Sequence, residues 1–418
     1  MSDDDNDQEL TTLTQEELDK VISRHESFKD GRSSGVRAIL QHYNLTGLSF
    51  KNRNLSGADL TGSVLLDANF EHAELECTVF YACDLRNANF TESNLSRADL
   101  RGACMRGAIM AGANMEEADL REGSYAKYDP DKGLTFTSDS KVWKEGTGGA
   151  DMRGANLASV KLAGTIAINS NFEDANLTKS TIVRGNLSGA NLKGADLSHA
   201  DLSQCELENV NLEGANLVGV KMDFSNLKDV NLEGVLTDRA MGETLDSQKV
   251  PLEELLEMHQ VWIKTHGGQG AKLDLSRYDL RSGPSLVGAN LTMLIAEHAI
   301  WYGRDLSRVS LQAALVRQGD FRQCIFRNAD LRGSNFSKSN MVNAKFFNAR
   351  LEPLMFEGGR SLKTSFKDAN LRYANFSGAD LRYVDFTGAD LTAAILTDAH
   401  VKETIFDKAI LTDAKMPQ

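Results

Sequence analysis

Residues 369–391 read ANLRYANFSGADLRYVDFTGADL, and a large apolar residue stands at every fifth position of this stretch. Two residues before each of these positions stands Ala or Val, with Asp or Asn between the two. We call each group of five a pentad and its large apolar residue the centre. The centres here are Leu371, Phe376, Leu381, Phe386 and Leu391. The step of five decides the fold, because it suits neither a helix nor a long strand.

An α-helix turns by about 100° per residue, so centres five residues apart would scatter around its surface. In a long strand an odd step moves successive centres to opposite faces. A short extended segment that turns a corner every five residues places the centre and the small residue two before it inward, and the other three outward. Such a coil must stack on itself to pair its backbone groups, and this predicts an all-β solenoid.

The same step runs from Leu45 to Leu120, from Met152 to Leu232 and from Leu286 to Met416, and 57 of these 60 centres are large and apolar, against 41% of the whole chain. Phenylalanine and leucine also recur every twenty residues, which indicates four pentads per coil. The predicted columns of like side chains are Phe326, Phe346, Phe366, Phe386 and Phe406; Leu311, Leu331, Leu351, Leu371, Leu391 and Leu411; and Phe336, Phe356 and Phe376.

The runs GADLTG (57–62), GNLSGANLKGADLSHADL (185–202) and the stretch quoted first resemble the pentapeptide-repeat family, whose consensus is A(D/N)LXX. The register holds over long unbroken runs, so the resemblance is specific and covers most of the chain. It implies a right-handed quadrilateral β-helix.

Two amphipathic segments precede the repeats and match each other at an offset of 234 residues. The first begins at a capping box formed by Thr14 and Glu17, and Pro251 suits the first position of the second. We predict cap helices over 13–31 and 250–267, followed by two rods over 45–234 and 273–418, after a disordered acidic tail over 1–12. Each histidine is expected to donate to a coil carbonyl. The apolar faces are Leu18, Val21, Ile22, His25 and Phe28, and Leu252, Leu255, Leu256, His259 and Trp262.

Residues 121–149 interrupt the first rod, because the distance from Leu120 to Met152 is not a multiple of five. Long loops in compact domains are often functional. Tyr128 and Trp143 are therefore candidate contacts for a partner, and the alternative is that the aromatic side chains lie back on the solenoid wall.

The formal net charge of −13 is unevenly distributed. Residues 1–120 hold 21 acidic and 11 basic residues, whereas residues 299–383 hold 7 acidic and 14 basic ones. A basic wall can bind an acidic protein, an anionic membrane or nucleic acid; alternatively the arginines serve only solubility. We expect Arg332 and Arg372 to share one wall, and Arg322 and Arg382 the next. The candidate partner-binding residues of this band are Arg322, Arg327, Arg332, Arg372, Tyr373, Arg382 and Tyr383.

Motifs for chemistry are missing from the sequence. There is no phosphate loop, HExxH or GxSxG motif, so no catalytic residue, cofactor or metal is expected. The five cysteines form no CxxC pair, which favours reduced thiols in the cytoplasm. The acidic N-terminus differs from a signal peptide, and no apolar stretch is long enough for a transmembrane helix.

A solenoid without a cleft favours a non-enzymatic scaffold that binds another protein, with nucleic acid an improbable partner. The unpaired edge of the last coil predicts a homodimer through the C-terminal coil. The resemblance leaves two alternatives open. Some bacterial members of the family are DNA mimics that inhibit DNA gyrase or protect it from quinolones, and some are secreted effectors, which leaves a membrane-surface adaptor possible.

Overall fold

The computed structural model describes residues 10–121, 125–129, 133–137, 149–245 and 250–417, with only the backbone of 125–129 and 133–137. The chain divides into two compact units, Met1–Asp238 and Arg239–Gln418. The first unit contains helix α1 (Gln15–Lys29) and strands β1 (Thr11–Thr12), β2 (Tyr43–Asn44), β3 (Tyr125–Asp129) and β4 (Gly133–Thr137). The second contains helix α2 (Leu252–Lys264) and strands β5 (Glu243–Thr244), β6 (Tyr278–Asp279), β7 (Leu354–Met355) and β8 (Ser361–Leu362).

The repeats form a four-sided coil. Parallel bridges join residues twenty apart, and successive bridges lie five residues apart: Ile39 pairs with Asp59, Asn44 with Val64, Ser49 with Asn69 and Asn54 with Glu74. Each side contributes one bridging residue before the next corner. The named strands are therefore short, although each side of a coil is hydrogen-bonded to the same side of the next coil. In the first unit the bridges run to Asn216↔Leu236, and in the second to Ile395↔Lys415.

Nearly every described corner uses a left-handed backbone at the residue two after the centre; the corners at Ser282 and Pro353 do not. Asn52 has a φ of 59° and Gly57 one of 77°, and the same region recurs in both units. Within the described coils no Val, Ile or Thr occupies a left-handed position, because β-branched side chains strain it most. The Asp or Asn before the centre accepts a hydrogen bond from the backbone N–H two residues on, as Asn54 does from Ser56 (3.0 Å). The Asp or Asn of the repeat therefore stabilises the corner that follows the centre.

The interior is filled by stacked centres and small residues. Phe70 stacks between Phe50 and Phe90, with ring centroids 4.3 and 4.7 Å away. At the small position, thiols and hydroxyls donate to a carbonyl of the preceding coil. The Cys83 thiol lies 3.0 Å from the Leu60 carbonyl oxygen. Most small polar groups of the core thus have a backbone acceptor, and the buried Ser180 hydroxyl is an exception.

The second unit contains an excursion that the five-residue pattern conceals. Asn335 bridges to Ser365, thirty residues on, because ten extra residues leave the coil and form the hairpin β7–β8. Because ten is a multiple of five, the insertion leaves the spacing of the centres intact. Because it is half of twenty, it changes which centres stack on each other in successive coils. The predicted column of Phe336, Phe356 and Phe376 is therefore wrong, and so is the continuity of the other two columns beyond residue 351. Phe336 stacks on Phe366 (5.2 Å) and Phe346 on Phe376 (4.5 Å), whereas Phe356 is 47% exposed.

Pro353 explains where the excursion begins. It stands two residues after the centre Leu351, at the corner that requires a positive φ. The proline ring fixes φ near −65°, so the coil cannot turn there. The chain leaves the coil after Leu351 and resumes it near Thr364.

Three sequence expectations need correction at the ends of the units. Thr11 and Thr12 were expected in a disordered tail over 1–12, but they form β1, which pairs in parallel with β2. Pro251 is the N-cap of α2 instead of its first helical residue. Phe28 is 47% exposed although it was expected on the buried face of α1, whose buried residues are Leu18, Ile22 and His25.

Candidate interaction surfaces

The open edge at the start of the first coil is covered on two sides by the segment that leads into α1. Strand β1 pairs with β2 on one side. On the next side the Gln15 side-chain amide substitutes for a strand: its Nε2 donates to the Ser49 carbonyl (2.9 Å), and its Oε1 accepts from the Ser49 N–H (2.8 Å). Two sides are therefore closed to strand addition.

The other two sides are covered by α1 itself. His25 Nδ1 accepts from the Ala38 N–H (3.1 Å), and the Glu26 carboxylate accepts from the Asn54 N–H (3.2 Å). Arg53 holds Glu26 in place through its Nε (2.9 Å). The Nδ1 atom thus accepts a backbone hydrogen bond, whereas the sequence predicted that the imidazole would donate one. Burial lowers the pKa of His25, and the Ser56 backbone partly offsets this, as a carbonyl facing the imidazole N–H does.

Helix α2 makes equivalent contacts in the second unit. His259 Nδ1 accepts from the Leu273 N–H (3.1 Å), Gln260 Nε2 donates to the Asn290 carbonyl (2.6 Å), and β5 pairs with β6. Burial lowers the pKa of His259, as it does that of His25. Trp262 stacks on His259 with centroids 5.9 Å apart, and Leu252 is buried while Leu256 is half-buried.

Most arginines of the predicted basic wall are neutralised within their own pentads. Arg322, Arg332 and Arg382 each make a two-point ion pair with the Asp two residues earlier, with guanidinium Nη2 to carboxylate distances of 2.5 to 2.7 Å. Arg322 is also only 5% exposed. These three side chains carry little free positive charge, and Arg322 is too buried to act as a docking residue.

The hairpin also changes which arginines share a side. Bridges from Asp320 through Asn340 to Asn370 place Arg322 and Arg372 on one side, two coils apart. Bridges from Asp330 through Arg350 to Asp380 place Arg332 and Arg382 on another. The predicted pairing of Arg332 with Arg372, and of Arg322 with Arg382, is wrong because it ignored the ten extra residues.

Both tyrosines of the band lie at corners. Tyr373 and Tyr383 have φ values of 60° and 61°, and Tyr383 is 39% exposed. A corner residue points away from the flat sides, so these rings flank a side instead of lining it. Tyr128 lies in β3, of which only the backbone is described, and Trp143 lies outside the described residues.

A different set of cations makes no close ion pair, although two of them, Arg308 and Arg327, lie near enough to Asp305 to interact with its carboxylate. Arg308, Arg327 and Lys345 are exposed and belong to the three pentads joined by the bridges Asp305↔Ile325↔Lys345, with Arg308 at the corner that flanks this side; we call them the cationic strip. Arg327 lies over the Phe347 ring, 5.0 Å from its centroid. Within the part of the chain that is described, none of the three has a carboxylate oxygen within 4.0 Å. Only Arg327 was among the predicted site residues; Lys345 replaces the usual Asp or Asn before a centre, and that signal was missed.

A groove of about 600 Å³ on the first unit is lined by Arg97, Arg101, Asp119 and other charged residues, but Arg97 pairs with Glu76 and Arg101 with Asp99. Among the residues the structure describes, no cluster of His, Cys, Asp or Glu is arranged to hold a metal ion. Neither described helix has the length and apolar character needed to cross a membrane.

The sequence matches the family described as pentapeptide repeats over 44–122, 155–234, 305–352 and 363–418. The last gap coincides with the hairpin β7–β8. No catalytic family is indicated, and no curated protein matches the sequence.

Three solved structures are similar to parts or most of the chain. HetL, a pentapeptide repeat protein involved in heterocyst differentiation regulation in the cyanobacterium Nostoc, is 21% identical over 94% of each chain (TM-score 0.15). A pentapeptide repeat protein of the Arabidopsis thaliana thylakoid lumen is 27% identical over 27% of this chain and 72% of its own (TM-score 0.20). QnrB1, a plasmid-mediated fluoroquinolone resistance protein, is 19% identical over 48% of this chain and 93% of its own (TM-score 0.24).

Proposed function

Because the chain belongs to the pentapeptide-repeat family, whose coil buries its large apolar residues in the interior, we propose that it is a non-enzymatic scaffold that binds another protein on an outer side. The cationic strip is the observation that carries this proposal. Arginines that follow an Asp by two residues, such as Arg332, form an ion pair with it. Arg308, Arg327 and Lys345 have no such partner within the described residues.

The chemistry of the strip favours an acidic partner. Its three cations lie on three successive coils, about 4.8 Å apart along the stack. The Arg327 guanidinium rests on the Phe347 ring, which orients its N–H donors while leaving their edges exposed. A guanidinium held in this way binds a carboxylate through two parallel hydrogen bonds. We therefore propose an acidic segment of a partner protein as the bound group.

Affinity purification from native cells tests the proposal. The test variant is Arg308→Glu/Arg327→Glu/Lys345→Glu, and the matched control is Arg317→Glu/Lys367→Glu/Arg382→Glu, which makes the same charge change at cations that already have acidic partners. We expect the strip variant to lose a partner that the wild type and the control retain, and raising the salt concentration to release the same partner. A partner set unchanged in the strip variant would refute the proposal.

We propose further that the two units are separately capped rods, that the protein is cytoplasmic, and that copies associate through the C-terminal coil. In that coil Ile410 is 50% and Met416 is 42% exposed, and Phe406 and Leu411 are only half-buried. Light scattering at micromolar concentration tests the association, and a strictly monomeric protein would contradict it.

The DNA-mimic alternative predicts an acidic surface, which the cationic strip interrupts. For the alternative of a secreted effector or membrane-surface adaptor, no feature of the described residues favours secretion. An unchanged DNA gyrase supercoiling rate in the presence of excess protein would exclude the DNA-mimic alternative.

A further inference from the structure

The hairpin β7–β8 exposes apolar side chains on a projection from the coil. Met355 is 64%, Phe356 47% and Leu362 40% exposed. Away from the last coils of each unit the coil buries its centres, and Phe356 has the sequence phase of a centre. Exposed apolar groups concentrated on one short projection indicate a contact with something outside the chain.

The hairpin has an ordered base. Leu354 and Leu362 lie over Gly333, whose α-carbon leaves no room for a side chain: a Cβ there would lie 3.1 Å from Leu354 Cβ and from Leu362 Cδ2. Gly333 N–H donates to Thr364 Oγ1 (3.0 Å) where the chain returns to the coil. The Phe356 N–H donates to the Arg360 carbonyl (2.9 Å), which closes the turn. The coil thus fixes the hairpin in one place.

The charges near the exposed apolar groups are mainly positive. Arg360 and Lys363 are exposed, and among the described residues neither has a carboxylate oxygen within 4.0 Å. Glu357 is the only acidic residue between 354 and 363. The register places Tyr383 at the same corner one coil further on, and it is 39% exposed.

We propose that this hairpin inserts into the surface of an anionic lipid bilayer. Apolar side chains flanked by cations match the boundary between acyl chains and headgroups, where such groups are buried by roughly 5–10 Å. The two extended steps from Leu354 to Phe356 reach roughly 7 Å before the 3-10 turn Glu357–Gly359, which is within that depth. Arg360 and Lys363 then meet lipid phosphates, and the Tyr383 ring suits the headgroup level.

A bilayer fits the projection better than a protein does. A stable protein interface buries about 800 Å² on each partner and packs like an interior. The hairpin offers two large apolar side chains at its tip, Met355 and Phe356, while Leu362 lies at its base, so a protein would need a small matching pocket. A bilayer needs none, and its anionic headgroups surround the tip with charge opposite to that of Arg360 and Lys363. Because one hairpin is a small anchor, the binding is expected to be reversible and to weaken as salt is added.

Vesicle flotation with the full-length protein tests the proposal, using phosphatidylcholine vesicles with and without phosphatidylserine. We expect the wild type to float with the anionic vesicles only, and Met355→Ser/Phe356→Ser to reduce the bound fraction at least tenfold. Phe224→Ser is the matched control: Phe224 is 92% exposed on the first unit, so loss of that ring should leave flotation unchanged. Arg360→Gln/Lys363→Gln should bind less than the wild type at low salt, and the difference should shrink as salt is raised. Circular dichroism verifies that each variant is folded.

Two outcomes would overturn the proposal. One is a wild type that does not float with anionic vesicles; the other is equal flotation of the wild type and Met355→Ser/Phe356→Ser. If the serine variant instead lost a protein partner in the affinity purification, with no vesicle binding by the wild type, the tip would be a protein-docking site. None of these results depends on the cationic strip, which lies outside residues 354–363.

Discussion

Replacing Phe366 and Phe356 separately by Ala compares two residues that have the same position in the five-residue pattern. Phe366 is wholly buried and stacks between Phe336 and Phe386, with centroids 5.2 Å away on both sides. Removing a buried Phe costs about 3–5 kcal/mol, and the two stacked neighbours place Phe366 toward the upper end of this range. We therefore expect Phe366→Ala to lower the free energy of unfolding of the second unit by about 4–5 kcal/mol. Phe356→Ala should lower it by less than about 1 kcal/mol, since the ring is half exposed.

Cys324 supplies the assay, because it is the only cysteine after residue 238 and its thiol is buried. Mass spectrometry of Cys324 alkylation against denaturant concentration reports opening of the second unit alone, which matters because repeat arrays need not unfold in two states. The alkylation midpoint should move far down in Phe366→Ala and hardly at all in Phe356→Ala. Equal shifts would refute the reasoning, since they would place both rings in the core.

Three further predictions concern the hairpin, the histidines and the thiols. Deleting 354–363 with Pro353→Asn joins Leu351 to Phe366 as consecutive centres, so the thermal midpoint should be unchanged or higher; a collapsed fold would contradict this. Burial lowers the pKa of His259 below 6.5, so below that pH the unfolded chain binds more protons than the folded one. The free energy of unfolding should therefore be highest above pH 6.5 and fall as the pH drops toward the folded pKa. His259→Gln should make the free energy of unfolding less dependent on pH in this range. Native alkylation should label exposed Cys77 quickly and Cys83 hardly at all, because burial raises the pKa of the Cys83 thiol; equal labelling rates would contradict this.

The local geometry of the coil could be predicted from the sequence because each corner is determined by residues close together in the chain. One large centre, one small residue and one corner residue fix each side, and all lie within five positions. The vertical stacking did not follow, since it depends on how many residues separate contacting coils. An insertion of ten residues leaves every local signal intact and moves Phe376 onto Phe346 instead of Phe356. The missed signal was Pro353, at a corner that proline cannot form.

The candidate surfaces were predicted less well for a related reason. Counting charges treated Arg332 and Arg382 as free, although each follows an Asp by two residues and the corner brings the two side chains together. The sequence motif Asp-Leu-Arg would have predicted the pairing. The cationic strip arises in pentads whose cation has no Asp two residues earlier, and the hairpin tip arises where one pentad leaves the coil. A charge count over residues 299–383 averages over such single pentads and therefore does not show them.

The coil's register on either side of the hairpin is tested most directly by disulfide trapping. The Ser337 and Ser365 hydroxyl oxygens lie 3.1 Å apart, so Ser337→Cys/Ser365→Cys should cross-link under mild oxidation, as mass spectrometry of the linked peptides will show. In an unbroken coil of twenty residues per turn, Met355 would take the place of Ser365. We predict that Ser337→Cys/Met355→Cys stays reduced under the same conditions. A disulfide in the second pair and none in the first would contradict the ten-residue excursion and the exposed tip that depends on it.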